Sequence, residues 1–222
     1  MIDVPIPSSA WRLRPHQVNL WRYLQTGGKR AMAVWHRRAG KDEVCLHWAA
    51  VSMLQRPANY AHLLPEFAQG RRSIWTAVNP HTGRRRIDEA FPEEMRLSTQ
   101  DHEMHIAMAN GSTWSVMGSD RYDTSLVGSS LAGIVFSEFA LANPSAWAYA
   151  RPVLEENDGW AIFITTPRGR NHAFDMFKHA QSMPDWFCEL LTAKDTGALS
   201  EAELSESLAE YCSLYGDRKS VV

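Results

Sequence analysis

The sequence predicts an α/β fold with a mostly parallel central sheet, helices on both faces and an added β-hairpin. Three observations carry this expectation. Short apolar runs alternate with segments of helical length and spacing, the order that builds parallel sheets. Those runs lack period-2 alternation, as strands covered on both faces do. Asn110-Gly111 sits between two segments, 102–109 and 112–118, and that dipeptide in that setting marks a hairpin. Composition agrees, since the 222 residues are 45% apolar and 22% charged, near globular averages. A chain of this length suits one large domain, and such a domain buries roughly 70% of the surface its unfolded chain exposes.

The elements follow in order. Residues 1–10, with Pro5 and Pro7, read as an extended lead-in. Residues 15–25 place Val18, Leu20, Trp21 and Leu24 at helical spacing behind Pro15, and Gly27 and Gly28 end that helix. Residues 30–36 form an apolar run bounded by charge and glycine, which suits a buried strand; residues 43–54 have helical length and spacing. A second strand is expected at 59–64, stopped by Pro65, and then a helix at 66–77. Residues 79–100 read as irregular, with a short helix near 87–91, and 119–130 as a polar loop. Residues 131–136 read as a buried strand ending in Ser137-Glu138, followed by a helix near 144–155 opened by Pro144. A strand at 160–166 is stopped by Pro167, a helix follows at 171–180, and a further strand at 186–192. Ser200 opens a last helix, 200–215, with Glu203 three residues later as a capping box.

Lys plus Arg number 23 and Asp plus Glu 25, a formal charge of −2, so any contact with nucleic acid has to come from local patches. Arg71-Arg72 and Arg84-Arg85-Arg86 make one such basic region, although solvated charge is its plainer reading. Cys45, Cys188 and Cys212 are odd in number and far apart, which argues against a disulfide framework and fits reduced thiols in the cytosol. The N-terminus lacks the apolar core of a signal peptide, and no run of 18 or more apolar residues marks a membrane span. The nine histidines are scattered, and most of the nine tryptophans read as core or half-buried.

The sharpest local signal is Arg37-Arg38-Ala39-Gly40-Lys41-Asp42, between a strand and a helix. A phosphate needs backbone N–H donors at a helix N-terminus, a glycine that permits close approach and a lysine that reaches the terminal phosphates. Gly40, Lys41 and the helix supply these, and Arg37 and Arg38 add cationic forks. Against the pattern GxxxxGK[ST], Trp35 replaces the first glycine and Asp42 the hydroxyl residue. Asp42 is placed to hold magnesium, directly or through water, where Ser or Thr normally does. A basic turn capped by Gly and Asp is the bland alternative.

Ile134-Val135-Phe136-Ser137-Glu138 has the shape of a Walker B element, whose usual ending is Asp-Glu. There the Asp holds magnesium and the Glu polarises the attacking water. Ser137 takes the Asp place and supports magnesium only weakly or through water, while Glu138 keeps the base role. Thr165-Thr166-Pro167 ends a third buried strand and aims hydroxyls at the same cleft. Gln17, behind Arg14-Pro15-His16, carries an amide that can pair with an adenine edge. Arg121, in the loop before the Walker B strand, is a candidate arginine finger for a neighbouring subunit. Each feature has a plain structural explanation alone; together, in this order, they point to a nucleotide in the crevice at the strand ends.

On these residues the chain resembles the large terminase subunit of tailed phages, specifically its N-terminal packaging ATPase. The resemblance runs through 14–24, 35–43, 63–75, 117–147 and 160–174, most of the chain. It implies a P-loop (ASCE-type) NTPase fold, ATP and Mg2+ as cofactors, and work as a homo-oligomeric ring on the portal. It places Gln17 on the adenine motif, Gly40, Lys41 and Asp42 on Walker A, and Arg37 on the arginine that senses the γ-phosphate. Glu138 falls on the catalytic carboxylate, Ser137 on its acidic neighbour, and Thr165 and Thr166 on the coupling motif. The implied partners are double-stranded DNA, the portal protein and the small terminase subunit, in the host bacterial cytoplasm at the procapsid portal.

The family usually continues past a Tyr-Gly helix into a metal-dependent nuclease domain, whereas here Leu214-Tyr215-Gly216 is followed by six residues. The expected organisation is an ATPase domain at 1–200 and a C-terminal helix with the start of a linker at 201–222. DNA cleavage is not expected of such a chain, which reads as a truncated product, a prophage remnant or a cloned fragment. Two alternatives stand beside the packaging ATPase. One is a nucleotide-binding remnant without turnover. The other is a different ASCE-type motor such as a helicase, which usually needs a second motor domain.

Overall fold

A computed structural model of the chain describes residues 11–126 and 130–200, with Ala202, Glu203, Ser205, Glu206, Ala209, Glu210 and Ser213. The expected lead-in, Cys212, Leu214-Tyr215-Gly216 and the six residues after it lie outside the described residues.

The apolar runs form β1 (Arg30–Trp35), β2 (Asn59–Leu64), β6 (Leu131–Phe136), β7 (Trp160–Thr165) and β8 (Trp186–Leu191). The Asn110-Gly111 hairpin joins β4 (His105–Met108) to β5 (Thr113–Gly118). With β3 (Arg96–Gln100) these strands make one eight-stranded sheet, ordered β3-β4-β5-β2-β6-β7-β1-β8. From β5 to β8 every pair is parallel; only β3 and β4 run antiparallel to their neighbours. β7 is inserted between β1, which leads into Arg37–Asp42, and β6, which ends at Ser137-Glu138, the order expected of an ASCE-type fold.

The helices are α1 (Val18–Gln25), α2 (Lys41–Gln55), α3 (Phe67–Gly70), α4 (Arg86–Ala90), α5 (Tyr122–Ser125), α6 (Ser145–Glu156), α7 (His172–Ser182) and α8 (Ala193–Thr196). Alternate residues of β1 explain why both faces of the sheet are covered. Ala31, Ala33 and Trp35 pack with Leu20 and Trp21 of α1 and Val44, Cys45 and Trp48 of α2. Met32 and Val34 pack on the other face with Ala146, Ala150 and Leu154 of α6 and Ala173 and Ala180 of α7. A third cluster centres on buried Trp114 of β5, stacked on Trp75 and against Phe91. Of the nine tryptophans, Trp21, Trp35, Trp48, Trp75 and Trp114 are buried, as their apolar settings imply.

Four elements differ from the expected ones, the first being the start of the 119–130 loop, which forms the 3-10 turn Ser119–Arg121 and α5. The helix at 66–77 closes as α3 and then widens into a π-helical turn, Arg71–Trp75, that buries Ile74 and Trp75. It lies tight on β5, where a Cβ on Gly70 would come within 2.5 Å of Val116. The irregular stretch contains β3, a polar edge strand with Leu97 76% exposed, which carries no apolar signal to read. α8 is a single turn opened by a Thr192–Asp195 capping box. In the last predicted helix the described residues from Ala202 on are helical, and Ser200, outside the helix, and Glu203 cap one another, with Ser200 N donating to Glu203 Oε2 at 2.8 Å. Among the described residues no helix is long and apolar enough to cross a membrane.

The basic run near α4 is used internally. Arg85 and Arg96 both hold Asp88, with Arg85 Nε to Oδ2 and Arg96 Nη2 to Oδ1 at 2.8 Å each. Burial opposes ionisation of Asp88, but the two guanidiniums keep its carboxyl below the usual range. Its contribution to stability is therefore full above the ordinary value near 3.8 and is lost as pH falls through the lowered folded value. Asp88→Asn is expected to lower the unfolding free energy by about 1–3 kcal/mol at neutral pH. Urea titrations at neutral pH and below pH 3.8 are expected to show the gap to the wild type closing on the acid side.

Candidate functional site

Strand register gathers the site at one edge of the sheet. Val34 of β1 lies beside Thr165 of β7, and Phe136 of β6 lies beside Phe163 of β7. The chain after each of these strands leaves the sheet at its carboxyl edge, where open α/β sheets bind ligands. Arg37, Arg38, Gly40, Lys41, Asp42 and Glu138 therefore meet at one cleft of about 490 Å³, within the range of small-molecule sites, with Ser137 and Thr166 packed beside it.

The 36–41 loop forms one wall. Gly40 caps α2 at φ 72°, and a Cβ there would meet Gln17 Nε2 at 2.7 Å, so glycine is required both for its backbone and for its space. Arg38 holds a left-handed conformation at φ 64° without being glycine, a strain of about 1–3 kcal/mol of the kind that collects at functional sites. Arg37 and Arg38 are exposed and line the cleft with Lys41 and Asp42. Lys41 is buried, and its Nζ donates to Trp35 O at 3.1 Å and His36 O at 3.0 Å. Burial pushes the Lys41 ammonium down, against the opposing pull of Glu138 and Asp42. Burial lowers His36 as well, and its ring meets the Thr196 hydroxyl of α8 at 2.7 Å.

The loop is gripped from below. Arg14 Nη1 donates to Arg38 O and His16 Nε2 to Ala39 O, each at 2.8 Å. Gln17 Nε2 donates to Ala39 O and Gly40 O at 3.1 Å, and its Oε1 accepts from Arg14 N at 3.0 Å. Gln17 is fully buried, both of its amide hydrogens are engaged by the loop, and it supports the loop from beneath. Ala39 is buried too, and its N–H closes a turn on His36 O at 3.4 Å.

Asp42 and Ser137 meet across the cleft floor. Ser137 Oγ donates to Asp42 Oδ1 at 2.6 Å, and His62 Nε2 of β2 approaches the same oxygen at 3.1 Å. Burial opposes ionisation of Asp42, but these two hydrogen bonds and the charge of Lys41 keep its carboxyl below the usual range. Ser137 is buried and absent from the cleft lining, so it acts there through Asp42. Hard oxygen donors of this kind suit magnesium, which takes one or two carboxylates and completes its shell with water and substrate phosphates.

Glu138 follows directly in a left-handed conformation, φ 48° and ψ 45°, which ends the strand and turns the chain into a short 3-10 helix, Phe139–Leu141. Thr166 Oγ1 donates to Glu138 Oε2 at 3.4 Å, and Arg168 Nε lies 3.9 Å from the same oxygen. Thr165 is buried behind it, its hydroxyl accepting from Ala140 N at 3.2 Å, while His172 Nε2 donates to Phe139 O at 2.6 Å. The two threonines are thus divided, one on the carboxylate and one on the turn that follows.

The opposite wall includes Trp11, Arg12, Asn79, His81 and Arg86, with Arg86 Nε 3.5 Å from Glu43. Arg121 is exposed in a 3-10 turn after β5 and does not line the cleft. Sequence reasoning missed His62 and gave Arg168 no role. The signal for His62 was a lone histidine inside the apolar strand Tyr60-Ala61-His62-Leu63-Leu64; the signal for Arg168 was its place directly after Thr165-Thr166-Pro167.

No protein-family model matches the chain. The chain is similar to the large terminase subunit of Thermus phage G20c, 27% identical over 179 residues that cover 74% of this chain and 36% of the relative. It is also similar to the large terminase subunit of Escherichia phage T5, 26% identical over 155 residues, 68% of this chain and 33% of the relative. The chain spans about a third of the length of these curated relatives. Among solved structures, the ATPase domain of the Thermus phage P74-26 large terminase superposes with a TM-score of 0.67 at 22% identity, covering 93% of this chain and 95% of that domain. The large terminase of a thermophilic bacteriophage in complex with ADP superposes with a TM-score of 0.70 at 16% identity, covering 90% of this chain and 50% of that one. The fold is the one seen in large-terminase ATPase domains, and the chain's similarity to large terminase subunits holds in sequence and in fold.

Proposed function

We propose that this chain is the ATPase module of a phage DNA-packaging motor, hydrolysing magnesium-ATP to drive double-stranded DNA into a procapsid. One observation carries the reading: a cationic glycine loop, the Asp42–Ser137 pair and Glu138 converge at one sheet edge. Support comes from a structural neighbour on the same fold, a large terminase solved with ADP and with ATP-gamma-S.

In this reading the ATP phosphates lie on residues 37–42, with Arg37 and Arg38 on their oxygens. Lys41 leaves the carbonyls of Trp35 and His36 to meet the terminal phosphates. Asp42, backed by Ser137, would hold the magnesium ion, which screens phosphate charge. Glu138 orients a water on the γ-phosphorus and accepts its proton as the new P–O bond forms and the bond to the ADP oxygen breaks. Thr166 reads the state of Glu138 through their hydrogen bond, and Thr165 holds the turn at 139–141, so the two couple hydrolysis to movement. Arg121 is assigned to a neighbouring subunit's site in a homo-oligomeric ring on the portal protein, with the small terminase subunit as a further partner, in the host bacterial cytoplasm. Residues 1–200 form the ATPase unit and 201–222 a helix leading into a linker; DNA cleavage is not assigned to these residues.

The test is phosphate release from magnesium-ATP across protein concentrations, with and without double-stranded DNA. Turnover that rises with concentration is the expected result. Stoichiometric ATP binding without release at any concentration would favour a nucleotide-binding module without turnover.

A further inference from the structure

We infer that the two magnesium-site residues of this chain have exchanged motifs, and that His62 is the positioning residue that makes the exchange workable. The inference rests on the ATPase reading above. In P-loop NTPases the ion is held by a hydroxyl directly after the loop lysine and by an Asp at the end of the Walker B strand. Here the residue after Lys41 is the carboxylate, Asp42, and the residue before Glu138 is the hydroxyl, Ser137. Each is a fault in its own motif, yet the pair still holds one hydroxyl and one carboxylate. The 2.6 Å bond from Ser137 Oγ to Asp42 Oδ1 places them in contact across the cleft floor.

Moving the carboxylate has a physical consequence. At a strand end its backbone is held by ladders on both sides; on the first turn of α2 its side chain needs fixing by other means. His62 supplies that. It is fully buried on β2, paired with Val135 of β6 just before the Walker B end, and its Nε2 donates to the same Oδ1 at 3.1 Å. Among the described residues Oδ2 receives no hydrogen bond, which leaves it for a metal. Among the described residues the other ring nitrogen, Nδ1, is buried without a hydrogen-bond partner. A buried histidine with an orphaned nitrogen in an apolar strand weakens the fold, and its bond to Asp42 accounts for its presence.

The experiment compares wild type, Asp42→Ser, Ser137→Asp, the double exchange, His62→Leu and His62→Gln. The readouts are fluorescent-ATP affinity with and without magnesium, and the ligand-free melting midpoint. Each single exchange is expected to remove about tenfold or more of the magnesium-dependent gain, because one leaves two hydroxyls and the other sets two carboxylates in contact. The double exchange is expected to restore the gain to within about threefold of wild type. His62→Leu is expected to lower the gain about 10- to 100-fold with metal-free affinity unchanged, the usual effect of losing an outer-shell partner, and His62→Gln, which keeps an N–H donor, to recover most of it. A folded double exchange no better than its weaker single overturns the exchange; a double that fails to fold leaves the decision to the His62 pair, where equal gain in both variants overturns it. A wild type with no magnesium-dependent gain refutes the ATPase reading itself, and the exchange with it.

Discussion

Glu138→Gln is expected to lower phosphate release by about 10²–10⁴-fold, the range for removing a general base, while ATP affinity stays within a few fold of wild type. Gln keeps the length of the side chain and its ability to hydrogen-bond Thr166, whose hydroxyl donates to Glu138 Oε2 at 3.4 Å. It removes only the negative charge and the capacity to accept a proton. The left-handed backbone at φ 48° belongs to the strand–turn junction and is expected to persist in the variant, which keeps the carboxamide aimed at the cleft. Single-turnover phosphate release beside an equilibrium ATP titration separates the two effects. A variant that keeps half of wild-type turnover would assign the base to another group. Arg168, 3.9 Å from the Glu138 carboxylate, makes this contrast sharper: neutralising Glu138 frees that guanidinium for phosphate, so affinity is not expected to fall.

How much of this was legible before the structure depended on how local each cause is. β1, β2, β6 and β7 are apolar runs whose covering helices lie beside them in sequence, so composition and length sufficed. The hairpin was legible because Asn110-Gly111 carries its own turn chemistry, with Gly111 at φ 90°. β3 was not, because an edge strand exposed to water needs no apolar pattern, and its ladder to β4 is the only reason it is a strand. Arg85 looked like half of a basic patch until the fold set Asp88 and Asp101 against it. The site shows the same division. That Gly40-Lys41 and Glu138 would come together at one cleft was legible because the loop and the strand end each follow directly on an apolar strand. Gln17 was found but its acceptors were not, since Ala39 and Gly40 lie 22 and 23 residues away. The role of His62, a lone histidine in an apolar strand, was not legible because its partner Asp42 is 20 residues upstream on another element, and the packing of α2 against β2 brings them together.

Lys41→Ala is expected to weaken ATP binding by about 10- to 150-fold, corresponding to the roughly 1.5–3 kcal/mol of a hydrogen bond to a charged group. Titration calorimetry measures this, beside the melting midpoint without ligand. The fold is expected to tolerate the change, because the ligand-free protein gains little from Lys41. Burial pushes its ammonium down, so the charged form is disfavoured in the folded state relative to the unfolded chain. Its two acceptors, Trp35 O and His36 O, sit at the end of β1, and His36 O keeps the turn bond from Ala39 N. An unchanged ATP affinity would show that the phosphates do not lie on this loop. Lys41→Arg is expected to fail as a rescue. The lysine slot is buried and ends on two adjacent carbonyls, which a compact ammonium meets with three rotatable donors, whereas the wider planar guanidinium would displace Asp42 or the loop. A loop already carrying Arg37 and Arg38 does not lack positive charge; in the proposed mechanism Lys41 adds a single cation small enough to move from the carbonyls of Trp35 and His36 to a phosphate in the same space.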